Sequence, residues 1–186
     1  MGLREDKKAK TRKAISDIAT ALFLARGYDT VTTAEIAALA EVSTATLFNY
    51  FPTKEALLFD EDEAMEAGLV DAILVRAPGV TILEALKAFV LAGPFFRFSH
   101  DPGYAAFTRL VKTTPELSAY LRQMCLRYEV AVAEAITSQW ENRFTRHQAT
   151  AIARYVLEAV NLAQNSSDPP ETFVSLLDLL KFGTDI

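Results

Sequence analysis

The stretch between residues 31 and 58 constrains the fold more than any other part of the chain, and it reads VTTAEIAALAEVSTATLFNYFPTKEALL. Thr32 and Glu35 have the spacing of a capping box, in which each side chain accepts a hydrogen bond from the other residue's backbone N–H at a helix start. Ser43 suits the N-cap of a second helix. Pro52 suits its end, because proline disfavours helical geometry in the preceding residue. Two short helices joined by a tight turn predict a helix-turn-helix.

The second short helix is expected to have two different sides. Leu47 and Phe51, four residues apart, are expected to form its buried side. Short hydrogen-bonding groups and one aromatic ring are expected on its surface, at Thr44, Thr46, Asn49 and Tyr50. A helix that reads base edges in a groove of DNA needs such a surface, so the pattern indicates DNA binding.

The same stretch resembles the DNA-binding signature of tetracycline-repressor (TetR)-type transcriptional regulators, approximately T-T-x-x-I-A-x-x-A-G-V-S-x-x-T-L-Y-x-H/Y-F-x-x-K-x-x-L. The resemblance is close over about residues 10–58. Beyond them it rests on length and helical character alone. The upstream matches are Arg12, Ile15, Ala19, Leu22, Phe23, Gly27 and Tyr28. The chain departs from the pattern at Glu41, where Gly is usual, at Ala45, where Gly or Pro is common, and at Phe48, where Tyr is usual.

The resemblance implies a DNA-binding role for a set of residues around the helix-turn-helix. Thr33 is expected to contact a phosphate, and Thr44 and Thr46 to meet base edges or phosphates. Tyr50 and Lys54 are expected to hold the DNA backbone on the far side. Few of these side chains can make bidentate contacts with bases, so part of the specificity is expected to rest on DNA shape. The expected DNA-binding residues are Arg12, Thr33, Ser43, Thr44, Ala45, Thr46, Asn49, Tyr50 and Lys54.

The distribution of charge reconciles a net charge of −5 with a polyanionic partner. Residues 1–54 contain eight Lys and Arg against six Asp and Glu, and six of those eight basic residues lie between Arg4 and Lys13. Local charge, not the overall sign, sets where DNA can dock. This run is either a solvated, frayed terminus or a contact to phosphates or a minor groove. Its place before the helix-turn-helix favours the contact.

The remaining sequence predicts an all-α fold with two domains. Residues 1–52 are expected to form the helix-turn-helix DNA-binding domain, whose first helix runs from about Lys10 to Arg26 with one apolar stripe. Residues 53–186 are expected to form a helical effector-binding and dimerisation domain. A single long helix from Thr53 to about Arg76 is expected to join the two. Further helices are predicted at 82–92, 103–113, 115–140, 145–163 and 170–182.

The last two predicted helices are more apolar than packing on one body requires. Apolar residues cover two faces of the final helix, so one face is expected to need a partner. A symmetric homodimer through these helices is favoured, and the resemblance implies the same. The alternative is a fully buried C-terminal helix in a monomer. The expected dimer interface consists of Ile152, Val156, Val160, Phe173, Leu176, Leu177 and Leu180.

Aromatic residues are concentrated in the body of the chain, where such residues ordinarily form the core. As a group they are also suited to line an apolar cavity, and the resemblance implies a small-molecule effector there. The segment KTTPELSAYL is similar to family members that sense acyl-CoA-like ligands. Arg97 or Arg109 is expected to meet an anionic end of the effector. The expected ligand-binding residues are Phe89, Phe95, Phe96, Phe107, Tyr120, Met124 and Tyr128.

Catalysis is the competing class of function. His100 and His147 are isolated from other metal ligands, and the sequence lacks the nucleophile-elbow, dinucleotide, P-loop and C-x-x-C motifs. The acidic run Asp60–Glu63 points around a helix and is expected to be solvated. No enzyme activity, metal or cofactor is therefore expected. A small helical enzyme is the least favoured alternative, and a helical adaptor without DNA binding is the other.

The cellular compartment follows from cysteine usage and hydropathy. A single cysteine, Cys125, excludes an intrachain disulfide and fits a reducing compartment. No apolar run is long enough to span a bilayer, and the basic N-terminus lacks the apolar region of a signal peptide. These features predict a cytoplasmic protein. Together with the resemblance, they predict a dimeric repressor that binds an inverted-repeat operator and is released by a small apolar effector.

Overall fold

The structure, a computed structural model, describes residues 2–93, 95–96, 102–139 and 144–182. Over these residues every regular element is helical, which confirms the all-α fold. Arg97, His100 and Trp140 lie outside the described residues. The helices are α1 (Leu3–Arg26), α2 (Thr33–Leu39), α3 (Thr44–Tyr50), a 3-10 turn (Glu55–Leu57), α4 (Asp62–Leu74), α5 (Ile82–Ala92), α6 (Pro102–Thr113), α7 (Pro115–Gln139), α8 (Arg146–Ala163) and α9 (Pro169–Phe182).

The chain divides into two units, each with its own hydrophobic core. The first contains the described residues of 1–63 and of 105–121, and the second those of 64–104 and of 122–186. The first unit extends beyond residue 52 because Ala56, Leu57 and Leu58 are buried in its core. Helix α7 contributes residues to both units.

Helix α1 begins earlier than predicted. The expected start near Lys10 is wrong, since the helix begins at Leu3. The backbone N–H of Gly2 donates to the carboxylate of Glu5 at 3.1 Å, and Glu5 and Asp6 lie in the first turn. Acidic groups there are favourable because the N-terminus of a helix carries partial positive charge. The basic run is therefore helical rather than frayed over the described residues.

The predicted single helix from Thr53 to Arg76 is wrong. A 3-10 turn, Glu55–Leu57, is followed by an irregular link, and α4 begins only at Asp62. Three consecutive residues, Ala56 to Leu58, are buried. All three belong to the core of the first unit, which packs around this turn. Asp62 and Glu63 then lie in the first turn of α4, where carboxylates stabilise a helix start.

The remaining helices lie within one residue of their predicted bounds. Thr81 caps α5 and Thr145 caps α8, each with a complete capping box. Alanines on α8 allow close approach of its neighbours, and Ala149, Ala153 and Ala163 are fully buried. The Tyr155 hydroxyl on α8 donates to the backbone oxygen of Leu176 on α9 at 2.7 Å. No helix among the described residues is long and apolar enough to cross a membrane.

Candidate nucleic-acid interface

Side-chain caps fix the starts of α2 and α3. Thr32 accepts a hydrogen bond from the backbone N–H of Glu35 at 3.2 Å, and Ser43 accepts one from that of Thr46 at 3.0 Å. The second half of the predicted capping box at Thr32 is wrong. The Glu35 carboxylate instead accepts a hydrogen bond from Arg26, which ties the end of α1 to α2.

The turn between α2 and α3 is a Schellman motif. The backbone N–H of Val42 donates to the oxygen of Ala37 at 2.9 Å, and that of Glu41 to the oxygen of Ala38 at 3.2 Å. Glu41 therefore adopts a left-handed conformation with φ of 55°. Glycine is favoured at this position because it has no Cβ. The departure at Glu41 thus places a strained residue in the turn that orients α3.

Helix α3 has the two sides that its sequence predicts. Leu47 on the helix and Phe51 just after it are fully buried in the core of the first unit. Thr46 and Tyr50 are half-buried, and the Thr46 hydroxyl lies 2.8 Å from that of Ser43. Four side chains on the opposite side are exposed, at Thr44, Ala45, Phe48 and Asn49. The exposed side therefore contains short polar, methyl and aromatic groups, and no charged side chain lies on α3.

Arg12 is engaged inside the first unit. Its guanidinium donates to the backbone oxygen of Tyr50 at 2.6 Å and to that of Asp60 at 3.2 Å. It also lies 4.4 Å from the ring centroid of Phe51, within the range of a cation–π contact. The last carbonyls of a helix have no partner within the helix, so Arg12 holds the C-terminal end of α3 in place.

Lys54 is likewise engaged with its own unit. Its Nζ donates to the backbone oxygen of Tyr28 at 2.6 Å and lies 4.1 Å from the ring centroid of the same residue. The Tyr28 hydroxyl in turn donates to the carboxylate of Glu55 at 2.6 Å. Sequence reasoning missed Tyr28 and Glu55 as a bonded pair, because 27 positions separate them.

This network shifts the pKa values of Tyr28 and Glu55 in opposite directions. Burial, together with the hydrogen bond to Glu55, raises the pKa of Tyr28 above its ordinary value. Burial alone would raise the pKa of Glu55 as well. The hydrogen bonds that its carboxylate accepts, first from Tyr28, outweigh burial and lower the pKa of Glu55 below its ordinary value. The protonated phenol and the carboxylate are therefore the forms that the fold stabilises.

The other expected DNA contacts lie at the surface of the first unit. Thr33 is half-buried at the start of α2, and Lys7, Lys8 and Lys10 are exposed along α1. Lys13 pairs with Asp17 at 2.9 Å, one helical turn further along. Exposed lysines on α1 can approach phosphates without competing with contacts of the core.

The structure separates the expected ligand-binding residues into two groups. Phe107 and Tyr120 belong to the first unit, where they contact Phe59 with ring centroids 6.2 Å and 5.3 Å from its own. The other five, Phe89, Phe95, Phe96, Met124 and Tyr128, belong to the core of the second unit.

Aromatic contacts organise the second group. Phe89 lies edge-on to Phe95 at 6.3 Å between ring centroids, and Phe96 lies 5.6 Å from Phe173. A Cβ at Gly68 would lie 2.3 Å from the Phe89 ring, so a larger residue there would displace that ring. Tyr128 and Phe96 are buried, while Phe89 and Met124 are half-buried. The five residues form a largely apolar core within one unit.

An open groove of about 460 Å³ lies elsewhere in the second unit. It involves α4 and α7, and Leu126 and Val130 expose 56% and 51% of their surface there. None of the expected ligand-binding residues lines it. Its lining residues are Glu66, Leu126, Arg127, Val130, Ala131 and Glu134.

The expected dimer-interface residues differ in exposure. Val156, Val160, Phe173 and Leu177 are buried in the core of their own protomer, because α8 and α9 cover each other. Ile152 and Leu176 are half-buried, and Leu180 is 37% exposed. Leu162 and Leu179, which the sequence reasoning did not name, expose 50% and 47%. Among the described residues of α8 and α9, the exposed large apolar side chains are therefore Leu162, Leu179 and Leu180.

Metal chemistry finds no support in the described part of the chain. None of the described residues form a group of three or more His, Cys, Asp or Glu side chains suited to hold a metal ion. Glu129 is a buried carboxylate, and Arg154 binds it through two hydrogen bonds of 2.8 Å.

Comparisons with known proteins relate this chain to DNA-binding regulators. The family of bacterial regulatory proteins called the tetR family matches residues 15–60. The transcriptional regulator MftR of Mycobacterium tuberculosis is 28% identical over 97% of this chain and 90% of its own. The HTH-type transcriptional regulator TcmR of Streptomyces glaucescens is 35% identical over 66% of this chain, which spans 57% of TcmR. Among solved structures, Thermus thermophilus FadR, a TetR-family repressor in complex with lauroyl-CoA, is 25% identical with a TM-score of 0.57, covering 94% of this chain and 95% of its own.

Proposed function

Because the protein is a TetR-type transcriptional regulator, we propose that it is a repressor that binds an inverted-repeat operator as a homodimer and leaves it when a small apolar effector binds. The relatives are transcriptional regulators, and no enzymatic role is proposed. The bacterial cytoplasm, where DNA is accessible, is the proposed location.

The DNA-binding part of the proposal rests on α3, which has one buried and one exposed side. Its buried side fixes the helix in the first unit through Leu47 and Phe51. Its exposed side presents Thr44, Ala45, Phe48 and Asn49. We assign these four positions, with Thr33 and the exposed lysines of α1, to the DNA contact. Arg12 and Ser43 serve instead to hold α3 in position.

Lys54 combines both roles in this proposal. One of its donors is taken by the Tyr28 backbone oxygen. An ammonium group has three donors, and the residue is half-buried rather than enclosed. A phosphate can therefore share the ammonium with the backbone oxygen.

Exposed leucines on α8 and α9 support the homodimer. Leu162, Leu179 and Leu180 form a set of exposed leucines on the two C-terminal helices, and exposed apolar surface of this kind is suited to a second subunit. A dimer meets successive major grooves when its two α3 helices lie ~34–36 Å apart, or a multiple of that. An operator with two-fold symmetry follows from this arrangement.

The aromatic core of the second unit is the proposed effector site. The FadR of Thermus thermophilus is described as a repressor in complex with lauroyl-CoA, which supports a ligand with an apolar chain. We assign its lining to Phe89, Phe95, Phe96, Met124 and Tyr128. A coupling of ~1–3 kcal/mol between effector and DNA would change DNA affinity by ~5–150-fold.

Selection of binding sites from random duplexes tests this function. The full-length chain should enrich an inverted repeat, bind it as a dimer in sedimentation, and release it when an acyl-CoA is added. Enrichment of no sequence at all would indicate a helical adaptor rather than a regulator. Specific binding that no acyl-CoA or free fatty acid affects would remove the effector assignment while leaving DNA binding in place.

A further inference from the structure

The exposed side of α3 has a chemical composition that limits which bases it can read. Its four exposed side chains are Thr44, Ala45, Phe48 and Asn49. Bidentate contacts to guanine come mostly from Arg or Lys and contacts to cytosine from Glu or Asp, while a threonine hydroxyl such as that of Thr44 contacts either kind of pair. The helix TATLFNY contains no Arg, Lys, Glu or Asp.

The groups that are present favour A·T pairs. An asparagine amide binds adenine through its N6 and N7 positions, and apolar side chains contact the C5-methyl group of thymine. The Asn49 amide makes no hydrogen bond to any residue that the structure describes. Its donor and its acceptor are therefore both available for a base.

Phe48 is the most unusual member of the exposed side. It exposes 43% of its surface, although phenylalanine is among the residues most often buried. It stands where the family pattern has a tyrosine, and it has no hydroxyl with which to reach a phosphate. The apolar ring, on the same side of α3 as Ala45 and Asn49, is suited to contact a methyl group in the major groove.

We propose that the base pairs facing α3 are A·T pairs, that Phe48 contacts the C5-methyl group of a thymine, and that Asn49 binds an adjacent adenine. Ala45 adds a second apolar contact on the same side. This inference rests on the proposed DNA-binding function and specifies what that site recognises.

Changes to single chemical groups of the DNA test the inference. In the duplex that the native chain selects, each thymine is replaced in turn by deoxyuridine, which keeps base pairing and lacks only the methyl group. Affinity should fall about fourfold for each contacted methyl group, from the transfer free energy of one such group. Replacement of the bound adenine by 7-deazaadenine removes the N7 acceptor and should lower affinity at least about fivefold.

Matched variants of Phe48 assign the effect to one side chain. Phe48→Ala should bind thymine and deoxyuridine duplexes equally at the contacted position, whereas Phe48→Leu, which remains apolar, should keep the preference for thymine. Leu126→Ala removes an exposed apolar side chain of the second unit, and it should leave both the affinity and the preference for thymine over deoxyuridine unchanged. Because Phe48 is exposed, thermal unfolding of Phe48→Ala should match that of the native chain.

The outcomes separate this inference from the function on which it rests. Enrichment of no duplex contradicts DNA binding itself. Enrichment of sites with G·C pairs facing α3, an unchanged affinity for every deoxyuridine duplex, or an undiminished deoxyuridine penalty in Phe48→Ala overturns the inference alone. The expected result is a thymine whose methyl group matters only when Phe48 or Phe48→Leu is present.

Discussion

The ammonium group of Lys54 donates to the backbone oxygen of Tyr28 at 2.6 Å and lies 4.1 Å above the centre of the same residue's ring. One residue beyond Lys54, the Glu55 carboxylate accepts a hydrogen bond from the Tyr28 hydroxyl. Two adjacent residues after α3 thus hold opposite ends of one tyrosine that follows α1. This contact joins the start and the end of the helix-turn-helix.

Lys54→Ala should affect both stability and DNA binding. Loss of the bond to Tyr28 should lower the free energy of unfolding by about 1–2 kcal/mol. Loss of one phosphate contact should weaken binding to all sequences alike and reduce the salt slope by about one. Thermal unfolding and anisotropy titrations at several salt concentrations measure the two effects. Lys87→Ala, which removes the same charge from α5, is the control. An unchanged salt slope would leave Lys54 with a positioning role only.

Arg12→Gln should destabilise the first unit and disorder the end of α3. The guanidinium makes two hydrogen bonds to backbone oxygens, and hydrogen bonds to charged groups contribute about 1.5–3 kcal/mol each. We expect a loss of about 2–3 kcal/mol in denaturant unfolding. Arg26→Gln, which breaks the exposed pair with Glu35, should cost less than about 1 kcal/mol. Equal losses in the two variants would argue against the role of Arg12.

Glu41→Gly should stabilise the protein. A non-glycine residue in the left-handed region costs about 1–2 kcal/mol, and the greater freedom of glycine in the unfolded chain offsets about 0.4–1 kcal/mol of that. A net gain between about 0 and 1.6 kcal/mol is therefore expected from denaturant unfolding. Glu41→Ala removes the carboxylate but keeps the Cβ, so it should give no comparable gain. A gain in both variants would trace the cost to the charge instead.

The Tyr28–Glu55 pair should limit stability at both ends of the pH range. Folding raises the pKa of Tyr28, so its contribution is complete below the unfolded value of about 10 and is lost as the pH rises above it. Folding lowers the pKa of Glu55, so its contribution is complete above about 4.3 and is lost as the pH falls. Unfolding by urea across this range measures both losses. Tyr28→Phe should flatten the alkaline loss and reduce the acidic one.

Two leucines of α9 should respond differently to the same substitution. Leu177 is 3% exposed, so Leu177→Asp buries a charge in the protomer's own core and should unfold the second unit. Leu180 is 37% exposed, so Leu180→Asp should leave the fold intact and dissociate the dimer. Circular dichroism and sedimentation separate the two outcomes. A Leu180→Asp chain that remains dimeric at micromolar concentration would move the interface elsewhere.

Local sequence signals were sufficient for most helix bounds, and long-range packing decided the rest. Ser43 was predicted as a cap, and its partner lies three residues away. Thr81 and Thr145 cap helices over the same short spacing. The break after Thr53 could not be predicted in this way. It depends on burial of Ala56 to Leu58 among residues of α1 and α7 that are distant in sequence.

The interface residues show a second limit of sequence patterns. An apolar pattern on two faces of α9 does not indicate which of the two the chain itself covers. The structure places Phe173 and Leu177 in the protomer's core and leaves Leu179 and Leu180 exposed. Arg12 and Lys54 were predicted as DNA contacts from the family pattern. Their bonds to the backbone of Tyr50 and Tyr28 could not be predicted in this way, because the partners lie 38 and 26 positions away.

Three of the bonds that secure the helix-turn-helix end on backbone oxygens. Arg12 donates to that of Tyr50, Lys54 to that of Tyr28, and Ser16 to that of Leu57 at 2.9 Å. A backbone oxygen is present whatever side chain its residue carries, and the exposed positions of α3 take no part in these bonds. Substitutions at residues 44, 45, 48 and 49 therefore leave these three bonds in place, so the surface that α3 presents can change without loss of the contacts that hold the helix.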